Sequence, residues 1–249
     1  MEPWPRVQPV QPAGLYDLPG AFDAFDKLDG WHLLLARGRA SLRSGRDVWD
    51  QLPCAIRDRV GRMNGLHVHG ELVLAGRPAS RIARALADRD PALEFRPFHV
   101  PDHAGDPRSE HALLCALGWR PPAYLGRYTG GQLAEHWPTW ARTLAEGVVL
   151  RPARGGRPWY KLKIVHSLDL PVVAVRPGRG RLADTVGALV CRLPGGREIQ
   201  VGTGLTDDDR RRIGPHDVGR ICEVAYQSRT ARGSIQHARF VRWRDDLDI

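Results

Sequence analysis

Lysine is nearly missing from this chain. Of 37 basic residues only Lys27, Lys161 and Lys163 are lysines, which leaves 34 arginines (37 less three). A sequence that meets its general need for positive charge with arginine does not spend lysine on solubility. Guanidinium stays protonated above about pH 12 and is a poor nucleophile, whereas an amine can shed its proton and attack. One lysine in Lys-x-Asp-Gly and two in Lys-x-Lys therefore point to chemistry at an amine. Cysteine is sparse as well. Cys54, Cys115, Cys191 and Cys222 lie far apart with no Cys-x-x-Cys pair, which argues against a zinc ribbon or a disulfide framework and for a reducing compartment. No apolar run approaches the length of a membrane span. The opening Met-Glu-Pro-Trp-Pro-Arg has no basic stretch leading into an apolar core. The expectation is a soluble, cytoplasmic protein.

The 249 residues are enough for one large domain or two modest ones. Hydrophobic residues at 42% and charged residues at 26% are ordinary for a globular chain. A net charge of +9 favours a polyanionic partner, most simply nucleic acid. That charge is not a detachable tail. Residues 170–249 carry 14 basic against 10 acidic residues, and residues 1–169 carry 23 against 18. This spread fits a surface that meets a polyanion from both halves.

Residues 1–20, rich in Pro and Gln, read as a flexible, extended arm. Strands are expected at 31–36, in a short segment ending at 42–43 after an Arg37-Gly38-Arg39 turn, at 66–74 and at 93–100. Helices are expected at 48–63, 79–87, 109–117 and 132–144, the last burying Trp137 and Trp140. Two apolar strands follow, 146–151 and 159–164, joined by a basic turn. Alternation places Lys161 and Lys163 on one face of the second, about 7 Å apart, a costly pairing unless something anionic lies between them. Beyond residue 166 come short strands at 172–176, 186–192, 199–202, 221–227 and 239–243. A hairpin turn at Pro194-Gly195-Gly196 and one helix capped by Thr206 with Asp209 punctuate them. Five strands and a short helix suggest a small β-barrel of the oligonucleotide-binding (OB) type. The expected domains are 1–166 and 167–249.

The motifs then fall in a telling order: Lys27-Leu28-Asp29-Gly30, Leu42-Arg43-Ser44-Gly45-Arg46, Gly70-Glu71-Leu72, Phe98, Glu146-Gly147-Val148-Val149, Lys161-Leu162-Lys163, and Arg239 through Asp246. This series resembles that of the ATP-dependent DNA ligase family, in order and in spacing, from about residue 20 to 246. Each motif alone is weak; the series is not. The resemblance implies an α+β fold, an ATP-grasp-like nucleotidyltransferase (adenylation) domain followed by an OB-fold β-barrel. It implies nick sealing between a 3′-hydroxyl and a 5′-phosphate through a covalent lysine–AMP intermediate, with ATP and Mg²⁺ or Mn²⁺ as cofactors. The partner would be nicked double-stranded DNA, in repair, replication or recombination, and the chain a nucleoid-associated monomer.

Physical chemistry gives the same residues matching roles. A lysine that attacks an α-phosphorus must be neutral at nitrogen, and neighbouring cations disfavour its ammonium form. Lysines and Mg²⁺ stabilise the negative charge of the transition state and of pyrophosphate. Glu146 offers hard oxygen ligands for the metal, Glu71 and Arg43 complement ribose hydroxyls, and Phe98 presents an aromatic face to a purine. The resemblance assigns the catalytic work to Lys27, Asp29 and Lys163. It implies nucleotide contacts from Arg43, Glu71, Phe98, Glu146, Lys161, Arg242, Arg244 and Asp245, metal ligation by Glu146, and DNA contacts from His32, Arg46 and Arg239. The last motif would close over the ATP β- and γ-phosphates during the first step.

Several positions depart from the family pattern. His32 stands where an arginine is usual, Phe25 where a glutamate helps read adenine, and His69 where an aspartate is frequent. Gln236 and Ala238 replace an arginine and a proline, and Leu247 a lysine. Alternative readings are an RNA ligase, a GTP-using capping guanylyltransferase, which shares the Lys-x-Asp-Gly motif, and a nucleic-acid-binding protein on a degenerate ligase scaffold.

Overall fold

The computed structural model describes residues 5, 7–36, 38–61, 65–230 and 233–247. Part of the expected N-terminal arm, Arg37 of the expected turn and the end of the expected 48–63 helix lie outside these residues. The chain divides into two compact units, Met1–Lys163 and Ile164–Ile249.

The first unit runs β1 (Val7–Pro9), β2 (Ala21–Asp26), β3 (Trp31–Ala36), β4 (Arg39–Leu42), α1 (Cys54–Gly61), β5 (Val68–Leu74), α2 (Ile82–Ala87) and β6 (Leu93–His99). It continues with α3 (Pro107–Ala116), β7 (Tyr124–Thr129), α4 (Gly130–Thr143), β8 (Gly147–Pro152) and β9 (Trp159–Lys163). These strands make two sheets, ordered β1-β9-β8-β2-β7 and β4-β3-β5-β6. Every pairing is antiparallel except β1 with β9. Strand β1 thus builds residues 7–9 of the expected arm into a sheet, and Leu15, six residues on, is fully buried.

Side chains two apart on a strand share a face, and each sheet uses this to build its own core. In the first sheet Phe22, Ala24, Val148, Leu150 and Leu162 pack with Leu133 and Trp140 of α4. Those two are seven residues apart, two helical turns on one face. The Gln132 side chain reaches back to accept from the Thr129 N–H (2.9 Å), fixing the start of the helix. In the second sheet Leu33, Leu35, Leu72, Leu74, Leu93 and Phe95 pack against Ile56 and Val60 of α1 and Ile82 and Leu86 of α2. Alternation therefore turns His32, His69, Glu71 and Phe98 to the opposite face, away from that core.

The expected 48–63 helix is shorter. A 3-10 turn (Trp49–Gln51) comes first, Leu52 is extended (ψ 143°), and α1 begins only at Cys54. Pro53 explains the break, because a residue before proline is pushed out of the helical region. Strands β2 and β7 were not anticipated from the sequence.

The second unit runs β10 (His166–Pro177), β11 (Val186–Arg192), β12 (Glu198–Val201), α5 (Asp207–Arg212), β13 (Ile221–Tyr226), β14 (Ser228–Arg229), β15 (Ile235–Gln236) and β16 (Arg239–Trp243). Its main sheet has the order β12-β11-β10-β13-β16. The twelve-residue β10 is central, pairing through His166–Pro171 with β13 and through Val172–Pro177 with β11. Leu170, Val172, Leu189, Val201, Val224 and Phe240 form the core. Thr206 caps α5 as expected: its N–H donates to Asp209 Oδ2 at 2.8 Å, and its hydroxyl accepts from the Asp209 N–H at 3.1 Å.

The small barrel of OB type expected from the sequence takes the form of an open sheet. Among the described residues no ladder joins the edge strands β12 and β16; one backbone bond, Phe240 N–H to Thr203 C=O at 2.8 Å, links β16 to the residue pair after β12. Gly204, at φ +92°, turns the chain away just past that bond, and a Cβ there would collide with the Phe240 carbonyl oxygen. OB folds are characteristically only partly closed.

Candidate active site

The two sheets of the first unit enclose a cavity of about 280 Å³, near the lower end of the range for small-molecule sites. Its walls come from both sheets: Phe25, Asp26, Lys27, Val149, Arg151, Trp159 and Lys161 from the first, His32, Arg43, Glu71 and Phe98 from the second. His111 and Leu114 of α3 close one side.

Lys27 follows directly on β2, and its backbone N–H donates to the Gly147 carbonyl (2.9 Å), tying the lysine loop to the start of β8. Gly147 sits at φ +134°, and a Cβ there would collide with the Leu162 carbonyl oxygen, so glycine is required for β8 and β9 to meet. Lys27 Nζ donates to Glu146 Oε2 at 2.8 Å and to its neighbour's Leu28 carbonyl at 3.3 Å. Gly30 allows β5 to pass close, since a Cβ would come within 2.5 Å of Glu71 Cγ and the Leu72 carbonyl oxygen.

The cavity's acids are pushed toward their neutral forms. Burial, with smaller pushes from Asp29 and Glu146, raises Glu71 to about 7 against the pull of Lys27. Burial likewise raises Asp26, whose Oδ1 is buried without a hydrogen-bond partner. Lys161 is lowered, first by burial and then by Lys163, Lys27 and Arg43 around it.

Six of the sequence-derived site residues, Lys27, His32, Arg43, Glu71, Phe98 and Lys161, line this one cavity, and Glu146 joins them through Lys27. Others stand apart. Asp29 is exposed, and its Oδ2 accepts from the Ala79 N–H at 3.2 Å, so it braces the lysine loop against the segment leading to α2. Lys163 is exposed at the end of β9. Arg46 is exposed and donates to Gln51 Oε1 (2.7 Å). Arg239, Arg242, Arg244 and Asp245 lie in the second unit. There Arg242 pairs with Glu223 (2.9 Å), Arg244 with Asp169 (2.6 Å) and Asp246 (2.8 Å), and Asp245 with Arg220 (2.6 Å). Leu247 is exposed beside them, while Gln236 accepts from the Ser228 hydroxyl (2.9 Å) in the β14–β15 hairpin.

Sequence reasoning missed the polar groups behind the cavity wall. Glu110 is 2% exposed, pairs with Arg151 at 2.5 Å and accepts from the Val100 N–H at 2.6 Å. Arg151 donates to the Phe98 carbonyl (2.7 Å) and lies 4.2 Å over the Trp159 ring. Asp23, fully buried, accepts two bonds from Arg127 (2.9 Å each) and one from the Tyr124 hydroxyl (3.0 Å). Asp23 and Arg151 lie one residue off the core faces of β2 and β8, so alternation alone gives no signal of their burial. Phe25 is buried among His111 and Tyr124, with ring centres 5.8 and 5.5 Å away.

Among the described residues no group of three or more His, Cys, Asp or Glu is placed to hold a metal. The donor set therefore fits magnesium only as a single-carboxylate site: Glu146, 8% exposed, would supply one hard ligand, and Mg²⁺ readily takes its others from water and substrate phosphates.

Residues 177–244 match the family model of the DNA ligase OB-like domain. Across nearly the whole chain the fold is similar to that of solved DNA ligases. It covers 98% of this chain and 100% of a Lig E DNA ligase, a DNA-binding minimal scaffold, with a TM-score of 0.73 at 17% identity. For Pmar-Lig_Pre the figures are 97%, 67%, 0.69 and 18%. For a mycobacterial DNA ligase D solved with ATP and MES they are 98%, 95%, 0.52 and 23%. No curated protein matches the chain by sequence. The first unit thus holds a cavity between its two sheets, and the second carries the DNA ligase OB-like domain. The OB-like match and the shared fold support the resemblance to ATP-dependent DNA ligases read from the motifs. Among the described residues no helix is long and apolar enough to cross a membrane.

Proposed function

We propose that this chain is an ATP-dependent DNA ligase that seals 3′-hydroxyl/5′-phosphate nicks through an adenylate carried on Lys27. The observation that carries the reading is the juxtaposition of Lys27 with Glu146 at 2.8 Å at the edge of a cavity that also presents Phe98, Glu71, Arg43 and Lys161.

Phe98 supplies a face for the adenine ring, and Glu71 and Arg43 complement the ribose hydroxyls. A Glu71 raised to about 7 is partly protonated at neutral pH, so its carboxyl can donate as well as accept. Lys161, with charge opposed by its cationic neighbours, gains by binding the α-phosphate. Lys27 Nζ must surrender a proton before it attacks, and the Glu146 carboxylate already holds its N–H. The nitrogen then forms a bond to the α-phosphorus as the bond to the pyrophosphate oxygen breaks. A bound Mg²⁺ or Mn²⁺, with Glu146 as its protein ligand, would neutralise charge on the phosphates. Asp29 keeps the lysine loop in place through Ala79. Lys163 stands on the same strand face as Lys161 and extends the positive field outward. Arg46 and Arg239, both exposed, are suited to duplex phosphates. In the second step the adenylate passes from Lys27 to the 5′-phosphate, and the 3′-hydroxyl then displaces AMP.

Incubation with radiolabelled ATP or GTP and Mg²⁺, followed by nicked DNA or nicked RNA duplex, tests this. The expected result is a covalent AMP adduct that Lys27→Ala abolishes and nicked DNA discharges as sealed product. Failure to form an adduct with either nucleotide over a range of pH and metal would overturn the enzyme reading. Discharge onto RNA alone would make it an RNA ligase, and a GTP-only adduct a guanylyltransferase.

A further inference from the structure

Three histidines stand in a row across the cavity-facing side of the second sheet. His32 Nε2 and His69 Nδ1 are 3.1 Å apart. His69 stacks on His99, with ring centres 5.8 Å apart and planes at 23°. His99 Nδ1 lies 2.9 Å from Glu110 Oε1, and Glu110 is itself held by Arg151. A β-bulge brings the row together. The β5–β6 register jumps from Gly70↔Pro97 to His69↔His99, so Phe98 is the extra residue, and it and His99 face the same side. Phe98 then meets the His32 ring at 5.1 Å.

His32 and His69 are uncharged at neutral pH. Burial first, then His69, Arg43 and His99, lowers His32 to about 3. Burial again, then His99, Arg157 and His67, lowers His69 to about 4, while Glu110 pulls the other way. Burial would raise Glu110, but bonds from His99, Arg151 and the Val100 N–H outweigh it and leave a carboxylate. The far end of the row is thus a fixed anion, to which His99 donates from Nδ1. His32 cannot act as the cation that its position in the motif suggested. A neutral imidazole offers a flat face continuing that of Phe98, and a hydrogen-bonding edge of one tautomer.

We propose that His69 is a positioning residue for the nucleotide transfer: braced by His99 and Glu110, it holds the His32 ring in a single orientation and tautomer beside Phe98, completing the wall against which the purine nucleoside lies. The inference rests on the function proposed above.

The test compares His69→Leu with His69→Asn, which keeps a hydrogen-bonding side chain. For His69→Leu the KM for ATP in adduct formation should rise about tenfold, the equivalent of one net hydrogen bond. Its rate at saturating ATP should stay within about twofold of the parent, and His69→Asn should recover most of the loss. Long-range ¹H–¹⁵N spectra, with His32 assigned by His32→Phe, should show one neutral tautomer in the parent and a mixture in His69→Leu. An unchanged KM overturns the proposal, and so does a raised KM with the single tautomer retained. If His69→Leu does not fold, the parent spectrum and His69→Asn decide: a mixed or protonated His32 at pH 7 overturns it. If the parent chain forms no adduct, the functional reading fails, while the tautomer spectra and a titration with ATP still judge the role of His69.

Discussion

Lowering the pH from 6.5 to 5 sets His32 and His69 against Glu71 on the cavity wall. His32 and His69 ionise at about 3 and 4 in the folded chain and at 6.5 when unfolded. Below 6.5 the unfolded state therefore binds protons that the folded state refuses, and stability falls with pH. The loss is about 1.4 kcal/mol per pH unit per group, hence ~2 kcal/mol from each by pH 5 and ~4 from both. Glu71 works in the opposite sense. It ionises at about 7 folded and 4.5 unfolded, so between those values acid favours the folded state, by ~2 kcal/mol over the same interval. The parent chain should lose ~2 kcal/mol net, and Glu71→Gln, which removes the counterweight, ~4. Carboxylates held low, such as Asp106 at about 2, add their losses only below their unfolded value of 3.8, outside this window. Guanidinium unfolding followed by tryptophan fluorescence reads the first unit, which holds seven of the eight tryptophans. Coincident stabilities of Glu71→Gln at pH 6.5 and 5 would refute the assignment of neutral histidines to the cavity wall.

Three further outcomes follow from the packing. Glu110→Gln leaves Arg151, 9% exposed in its side chain, without its carboxylate, and should cost ~3–5 kcal/mol in denaturant unfolding; a loss under ~1 kcal/mol would mean the pair is solvated. Gly147→Ala meets both a positive φ and the Leu162 carbonyl, so it should lower the melting temperature and weaken Lys27 labelling together. Labelling at parental rate would show that β8 shifts freely. Lys163→Ala, at an exposed strand end, should melt like the parent yet form or discharge the adduct far more slowly; parental sealing would remove Lys163 from the mechanism.

Much of the cavity was legible because its parts fall on strand ends whose period is plain. Leu33, Leu35 and Leu72 mark the buried face, so His32 and Glu71 had to face the other way. The motifs then supplied the partners that periodicity cannot. What stayed hidden was polar and buried. Glu110, with Arg151 opposite, looks like a surface charge until the fold brings α3 against β8. The row of histidines depends on a bulge at Phe98, and a one-residue insertion in a ladder leaves no mark in an isolated strand. Strands β2 and β7 also escaped. Asp23 and Arg127 interrupt their apolar pattern, and those two are each other's partners. That the OB-type sheet of the second unit stays open is not legible either, because strand count alone does not say whether the edges meet.

That open sheet has two edges to guard. An unpaired strand edge is a template for another chain, and proteins blunt it with short strands and with charge. The edge strand β12 is four residues long and begins at an exposed glutamate; β16 is five long and carries exposed Arg239 and Arg242 around an exposed Val241. Guanidinium keeps its charge at every pH the cell reaches. Arginines on β16 therefore keep a charged, short edge at every such pH, a poor template for a further strand, and one that also suits a polyanion.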